Sequence, residues 1–359
     1  MQRYQAKRMN AKVFDASRRE DDHRRVAVAR LPAAGRREAA RSARWTYGCA
    51  VAMPSWRPRQ VALRISSDVR GAASATAGAA EQEGFMRIAF LVNRDIESNL
   101  ALNLLLPEIH QSTVGIFLSE RVGASAVPPR MLGQLAFVEQ DLFNRLVFPL
   151  MEQTSHGDGR FAGFGELERR FGTPVQALAS LNDQAALQRL RDARADLVIS
   201  IRFGLILGKE ALGLAPRGIL NLHSGLLPRY RGVLATFRAL LNGDAQIGCT
   251  LHWIDSPAID AGPIVETART AVAKERSLLW HILSLYRPGT RLILNAIRRL
   301  ESGEPVNGTP QDPSAGAYYS FPTQDDLTRF TALGWRLFDR EDVWELLESY
   351  GCKSTAPKS

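Results

Sequence analysis

Residues 218–264, GILNLHSGLLPRYRGVLATFRALLNGDAQIGCTLHWIDSPAIDAGPI, gather two Asn, two His and three Asp among glycines, prolines and strand-like runs. Asn221 and His223 stand two apart at the end of an extended run, 217–223, so their side chains leave the same face. An amide donor beside an imidazole suits a carbonyl carbon under attack, because Asn can hydrogen-bond a developing oxyanion while His stabilises it and handles a proton near neutral pH. Asp255 and Asp260 follow in the loop DSPAIDAG, and a carboxylate near an imidazole raises its pKa and fixes its orientation. Thr250 and His252 alternate on the run 247–254 and are expected to face the same crevice. Arg229 and Arg231, in the polar turn SGLLPRYRG, are candidates to meet an anionic acceptor. Neither His223 nor His252 has a neighbouring ligand at metal spacing, so no metal is expected.

These residues need a scaffold, and the chain supplies one from Met86 onward. RIAFLVN reads as a buried strand, residues 98–106 as a helix stopped by Pro107, and STVGIFLSE (112–120) as a second strand, which makes a β-α-β opening. Apolar residues at helical spacing follow over 130–153 (Leu132, Leu135, Phe137, Leu142, Leu146, Phe148). Asn182 is a candidate N-cap for a helix to about residue 194, and DLVISIRF (196–203) is the next strand. Runs 217–223 and 247–254 add two strands around a helix at 234–241. Ser277 can cap a helix that continues past Pro288 only with a kink. Beyond residue 304 come a proline-containing loop and one or two amphipathic helices. The alternation predicts an α/β fold with a doubly wound, mostly parallel open sheet of Rossmann-like type, and ligands in such sheets gather at the carboxyl ends of the strands.

Composition divides the chain near residue 85. Residues 1–85 hold 17 Lys+Arg against 8 Asp+Glu and so carry the whole net charge of +9, whereas the 29 basic and 29 acidic residues of 86–359 cancel. The globular part therefore gives no electrostatic case for nucleic acid or an anionic membrane. The Arg/Ala-rich segment 1–85 is expected to be disordered or to precede a native start at Met86. A transit peptide is less favoured because of the Glu20-Asp21-Asp22 cluster. Three scattered cysteines and the lack of a long apolar run point to a cytoplasmic protein without a membrane span.

The set Asn221, His223, Leu226, Leu227, Pro228, Gly232, Asp260 and Gly262, in that order, resembles the 10-formyltetrahydrofolate-dependent formyltransferases, a family that includes methionyl-tRNA, glycinamide ribonucleotide and sugar-amine enzymes. The resemblance covers about 196–303 and divides the chain into an extension (1–85), a catalytic domain (86–304) and a C-terminal loop and helical extension (305–359). It implies that Asn221 and His223 polarise the formyl carbonyl and that Asp260 orients His223 or a bridging water. It also implies that 10-formyltetrahydrofolate, without a metal, lies against Arg202, Phe203, Gly204, Leu205, Ile206, Asp255 and Ile259. Arg202 is placed to meet the folate glutamate. Three departures are visible: NRDIESN replaces the glycine-rich phosphate loop after the first strand, with only Ser98-Asn99 in common; Ser224-Gly225 stands where many relatives have a small residue and then Ser; and the interval to Asp260 is slightly longer.

The expected acceptor is a small-molecule primary amine such as an amino sugar or amino acid derivative. Methionyl-tRNA is disfavoured by the neutral core and by the roughly 55 residues after 304, fewer than a β-barrel RNA-binding domain needs. Hydrolysis of formyltetrahydrofolate and non-catalytic folate binding are the rival functions. Neither membrane nor nucleic acid is an expected partner, and a homodimer is compatible with the reading.

Overall fold

A computed structural model of the chain describes residues 85–120, 129–153, 161–181 and 183–352. Asn182 and the compositionally biased segment 1–84 lie outside the described residues, and the described residues form one compact unit. The centre is a seven-stranded sheet made of β1 (Ile88–Asn93), β2 (Thr113–Ser119), β3 (Val175–Ala177), β4 (Leu197–Ile201), β5 (Ile219–His223), β7 (Gln246–Trp253) and β8 (Ile264–Ala271), with β6 (Tyr230–Gly232) and β9 (Ala317–Tyr319) pairing separately. The order is β3-β2-β1-β4-β5-β7-β8. β1 to β5 pair in parallel, whereas β7 and β8 are antiparallel additions at one edge.

Alternate residues of the central strands enter two separate apolar clusters, one per face. Phe90, Val92, Ile199 and Leu220 pack with the helices Ile96–Ile109 and Tyr286–Glu301 on one side, and Leu91, Phe117, Val198 and Ile219 pack with Gln184–Asp192 on the other. The sheet is therefore doubly wound. β1 leads outward to β2 in one direction while β4 continues in the other, so the topological switch point falls between the carboxyl ends of β1 and β4.

Several local expectations are corrected. The first helix starts at Ile96, capped by Asp95, and runs through Pro107. The ring is exposed near the helix end, where the lost bond is tolerated. In Arg130–Gln153 the middle, Phe137–Val147, is wound as a π-helix, and the amide of Phe148 donates to the carbonyl of Phe143 five residues back. The wider turn moves the buried stripe to Val138, Phe143 and Val147 and leaves Phe137 and Leu146 about half exposed. Asp183 is the N-cap of the next helix. Ser277 caps Leu278–Ser284, after which a new helix starts at Tyr286. Pro288 thus sits in a first turn, where no backbone donor is needed, and there is no mid-helix kink.

The C-terminal residues pack into the same core. Phe330 stacks on Phe237 at 4.4 Å, Arg238 pairs with Asp326 at 2.9 Å, and the Tyr350 hydroxyl donates to Asn99 Oδ1 at 2.6 Å. Part of the expected loop after residue 304 is β9, which lies parallel to β6 and holds Gly232 opposite Tyr319.

Candidate active site

The antiparallel register of β5 on β7 sets Asn221 opposite His252 and His223 opposite Thr250, so four polar side chains share one face of the sheet. Asp260 meets them from the loop between β7 and β8, with a backbone φ of 52° in the left-handed region that Asp adopts more readily than most residues. Its Oδ1 lies 3.4 Å from Asn221 Nδ2 and 3.5 Å from His252 Nε2. Its Oδ2 lies 3.5 Å from His223 Nδ1 and accepts the Gly232 amide at 2.9 Å. One buried carboxylate thus bridges both imidazoles and the amide.

Burial would raise the Asp260 pKa, but attraction to His223, a hydrogen bond and charge from His252, and the Gly232 N–H outweigh it and hold the pKa at about 2. Protonating such a group at pH 7 costs about 7 kcal/mol. Asp260 is therefore a fixed anion and not the final resting place of a proton.

Backbone carbonyls set the imidazoles. His252 Nδ1 donates to Trp253 O at 2.9 Å; in the neutral ring Nε2 then accepts the Asn221 amide at 3.0 Å, and only in the protonated ring does Nε2 become the donor that faces Asp260 at 3.5 Å. His223 Nε2 donates to Tyr230 O at 2.7 Å, which leaves Nδ1 facing Asp260. The second Asn221 amide proton has only the long 3.4 Å contact with Asp260, a weak claim that a better-placed oxygen can displace.

The turn after β5 is packed against this group. A Cβ on Gly225 would come 2.4 Å from Ala235 Cβ and 2.8 Å from His223 Nε2, which accounts for glycine where a serine was the other option. Gly232 has φ 94°, and a Cβ there would lie 2.2 Å from the Tyr319 carbonyl, so only glycine lets β6 turn its N–H to Asp260. Thr250 shares the face but does not reach the crevice. It is fully buried under the turn, donates to Gly225 O at 2.7 Å and accepts from Leu227 N at 3.1 Å, so it braces the loop.

A cleft of about 2230 Å³ opens above Asn221, His223, His252 and Asp260. One flank is apolar: Phe203, Gly204, Leu205, Ile206, Ile254 and Ile259 line it, with Ile206 66% and Ile259 42% exposed. Large apolar side chains so exposed inside a cleft provide the surface that a flat ring system would cover. Of the other candidates, Asp255, Arg229 and Arg231 do not line the cleft. Arg229 is held away by Asp244 at 2.9 Å and lies over the Tyr230 ring. The backbone of Arg202 follows β4 as anticipated, but its guanidinium is not offered to a ligand tail: it turns inward to Asp95 at 2.8 Å, Glu139 at 3.5 Å and Glu97 at 3.7 Å.

Residues 150–279 match the family model described as formyl transferase. Methionyl-tRNA formyltransferases are also similar: that of Kosmotoga olearia is 30% identical over 161 residues, covering 45% of this chain and 51% of that one, and that of Paraburkholderia phymatum 35% over 170 residues, covering 47% and 49%. Over residues 150–279 this chain is similar to the formyltransferase family. It spans about half the length of the curated relatives it matches. Among solved structures, glycinamide ribonucleotide transformylase 1 from Symbiobacterium toebii is 20% identical with a TM-score of 0.44, covering 67% of this chain and 100% of that one. An N-formyltransferase from Helicobacter canadensis, in complex with folinic acid and dTDP-3-aminofucose, is 15% identical with a TM-score of 0.44, covering 67% and 72%.

The formyltransferase match contains β4, β5, β7, the Asp260 loop and Gly232, but parts of the site lie outside it. Gln311 Nε2 donates to the carbonyls of Asp260 at 2.9 Å and Gly262 at 2.6 Å, clamping the loop, and β9 backs Gly232. Neither was foreseen, since a lone Gln in a proline-containing segment has no local signature. The carbonyl of Tyr230 and the amide of Gly232 are backbone groups, which residue types do not reveal.

Proposed function

We propose that this chain transfers a formyl group from 10-formyltetrahydrofolate to a primary amine, and the observation that carries this is Asp260 bridging Asn221, His223 and His252 at the floor of the cleft. The apolar flank at 203–206 and 254–259 fits the planar pteridine, and its exposed Ile206 and Ile259 are the side chains such a ring would shield from water. The donor supplies the activated formyl group when bound. The chain's residues then have three tasks. Asn221 Nδ2 donates a hydrogen bond from its weakly engaged N–H to the formyl oxygen as negative charge grows there. His223 Nδ1 takes the proton lost as the amine bonds to the formyl carbon and passes it, directly or through one water, to the donor nitrogen whose bond to that carbon breaks. Asp260, ionised throughout, stabilises the positive charge that appears on His223.

His252 keeps Asn221 in the orientation required, because its accepting nitrogen is fixed by the Trp253 carbonyl. A small amine is the acceptor favoured here, since residues 86–359 carry no net charge with which to hold a nucleic acid. The test is incubation of the purified full chain with 10-formyltetrahydrofolate and a panel of primary amines, following tetrahydrofolate release. Release that requires an amine supports the transferase. Equal release in its absence would assign hydrolysis instead.

A further inference from the structure

A second part of the cleft lining, at the switch point between β1 and β4, is polar. Here Arg202 faces three acidic side chains, Asp95, Glu97 and Glu139. Burial pushes the Glu97 pKa well above its ordinary value, Glu139 and Asp95 add to the rise, and Arg202 pulls against it. Three carboxyl groups thus face a single guanidinium, so the cluster offers no surplus positive charge. Glu139 lines the cleft at only 8% exposure, and its Oε1 has no hydrogen-bond partner. A buried acceptor without a donor costs about 1–3 kcal/mol, a cost that a ligand N–H or O–H would remove.

The same wall is poor for phosphate. Arg94 is paired with Glu120 at 2.9 Å and Arg145 with Asp141 at 2.8 Å, so neither adds surplus positive charge. The amino end of Ile96–Ile109, which could otherwise attract an anion, is capped by the Asp95 carboxylate through Ser98 N–H at 2.8 Å.

We infer that this flank is the acceptor subsite and that it selects an amine whose neighbouring groups are hydrogen-bond donors, uncharged or cationic and not phosphorylated, with Glu139 the residue that reads them. Naming the ligand an acceptor rests on the formyl-transfer reading. Arg202 follows β4, the strand next to β5, so the subsite begins about 5 Å from the strand that carries Asn221, the reach of groups adjoining the reacting nitrogen.

The test compares matched amines, glucosamine with glucosamine 6-phosphate and serine amide with O-phosphoserine amide. Binding to the full chain is read by ligand-observed NMR, and formyl transfer by kcat and KM. The unphosphorylated member of each pair should bind about tenfold more tightly or better, with the kinetic difference in KM. Glu139→Gln should shrink that discrimination about fivefold while folinic acid affinity stays as in wild type. Glu139→Asp, which withdraws the carboxylate without removing its charge, should preserve the preference against phosphate and gives a second reading if the Gln variant does not fold. Equal or tighter binding of the phosphorylated amines, binding of neither member, or discrimination unmoved by Glu139→Gln would each overturn the inference. Selective binding of the unphosphorylated amines without any formyl transfer would reject the proposed reaction while leaving the ligand preference of the flank intact.

Discussion

Asp260→Asn separates charge from shape at the centre of the site. The amide side chain can keep the Gly232 contact, and Asn tolerates the left-handed backbone at φ 52°. What it loses is the anion 3.5 Å from His223 Nδ1. At an effective dielectric near 20, two unit charges at that distance attract by about 5 kcal/mol before solvent and relaxation reduce it. If about half is felt when His223 carries the amine proton, kcat falls about 60-fold, with donor KM nearly unchanged because the apolar flank is untouched. Tetrahydrofolate release under saturating amine measures the loss.

The same substitution has a stability signature with a definite sign. The Asp260 pKa is depressed from 3.8 to about 2 in the folded protein, so its contribution is present above pH 4 and is lost as pH falls through about 2. It amounts to about 2 kcal/mol. Denaturant melts of wild type should therefore weaken more steeply between pH 4 and 2 than those of Asp260→Asn. A variant within threefold of wild-type kcat, with a parallel acid profile, would refute the electrostatic role.

Gly225→Ala should cost about 1–3 kcal/mol in denaturant melts and lower kcat, because the new methyl lies 2.8 Å from His223 Nε2; unchanged kcat would mean that the turn does not position His223. Arg202→Met should destabilise by about 3–5 kcal/mol at pH 7, since Asp95, with no exposed side-chain surface, loses its partner. That cost should shrink as carboxyl groups protonate at acid pH, and a variant as stable as wild type at pH 7 would contradict it.

Much of this architecture was legible because IAFLVN and LVISI are almost wholly apolar on both faces and have no alternation that could be mistaken for a surface segment. The spacing of Asn221 and His223 likewise fixes a shared face in any extended chain. What was not legible depends on context. β3 is three partly exposed residues, and β8 alternates weakly, so neither gives a strong period. The π winding of Phe137–Val147 shifts the buried stripe by one residue, which a 3.6-residue period misassigns. Arg202 was assigned to a ligand because its partners come from positions 95, 97 and 139, more than 60 residues away in the chain. Thr250 and His252 share one face, yet only the turn folded over Thr250 decides that one is a brace and the other a neighbour of Asn221.

The most direct measurement is mass spectrometry of an amine incubated with the full chain and 10-formyltetrahydrofolate labelled with carbon-13 in the formyl group. The account predicts labelled formamide product that depends on enzyme and falls about 100-fold or more in His223→Ala. Label recovered only as free formate, or product formation that survives loss of the imidazole, would contradict it.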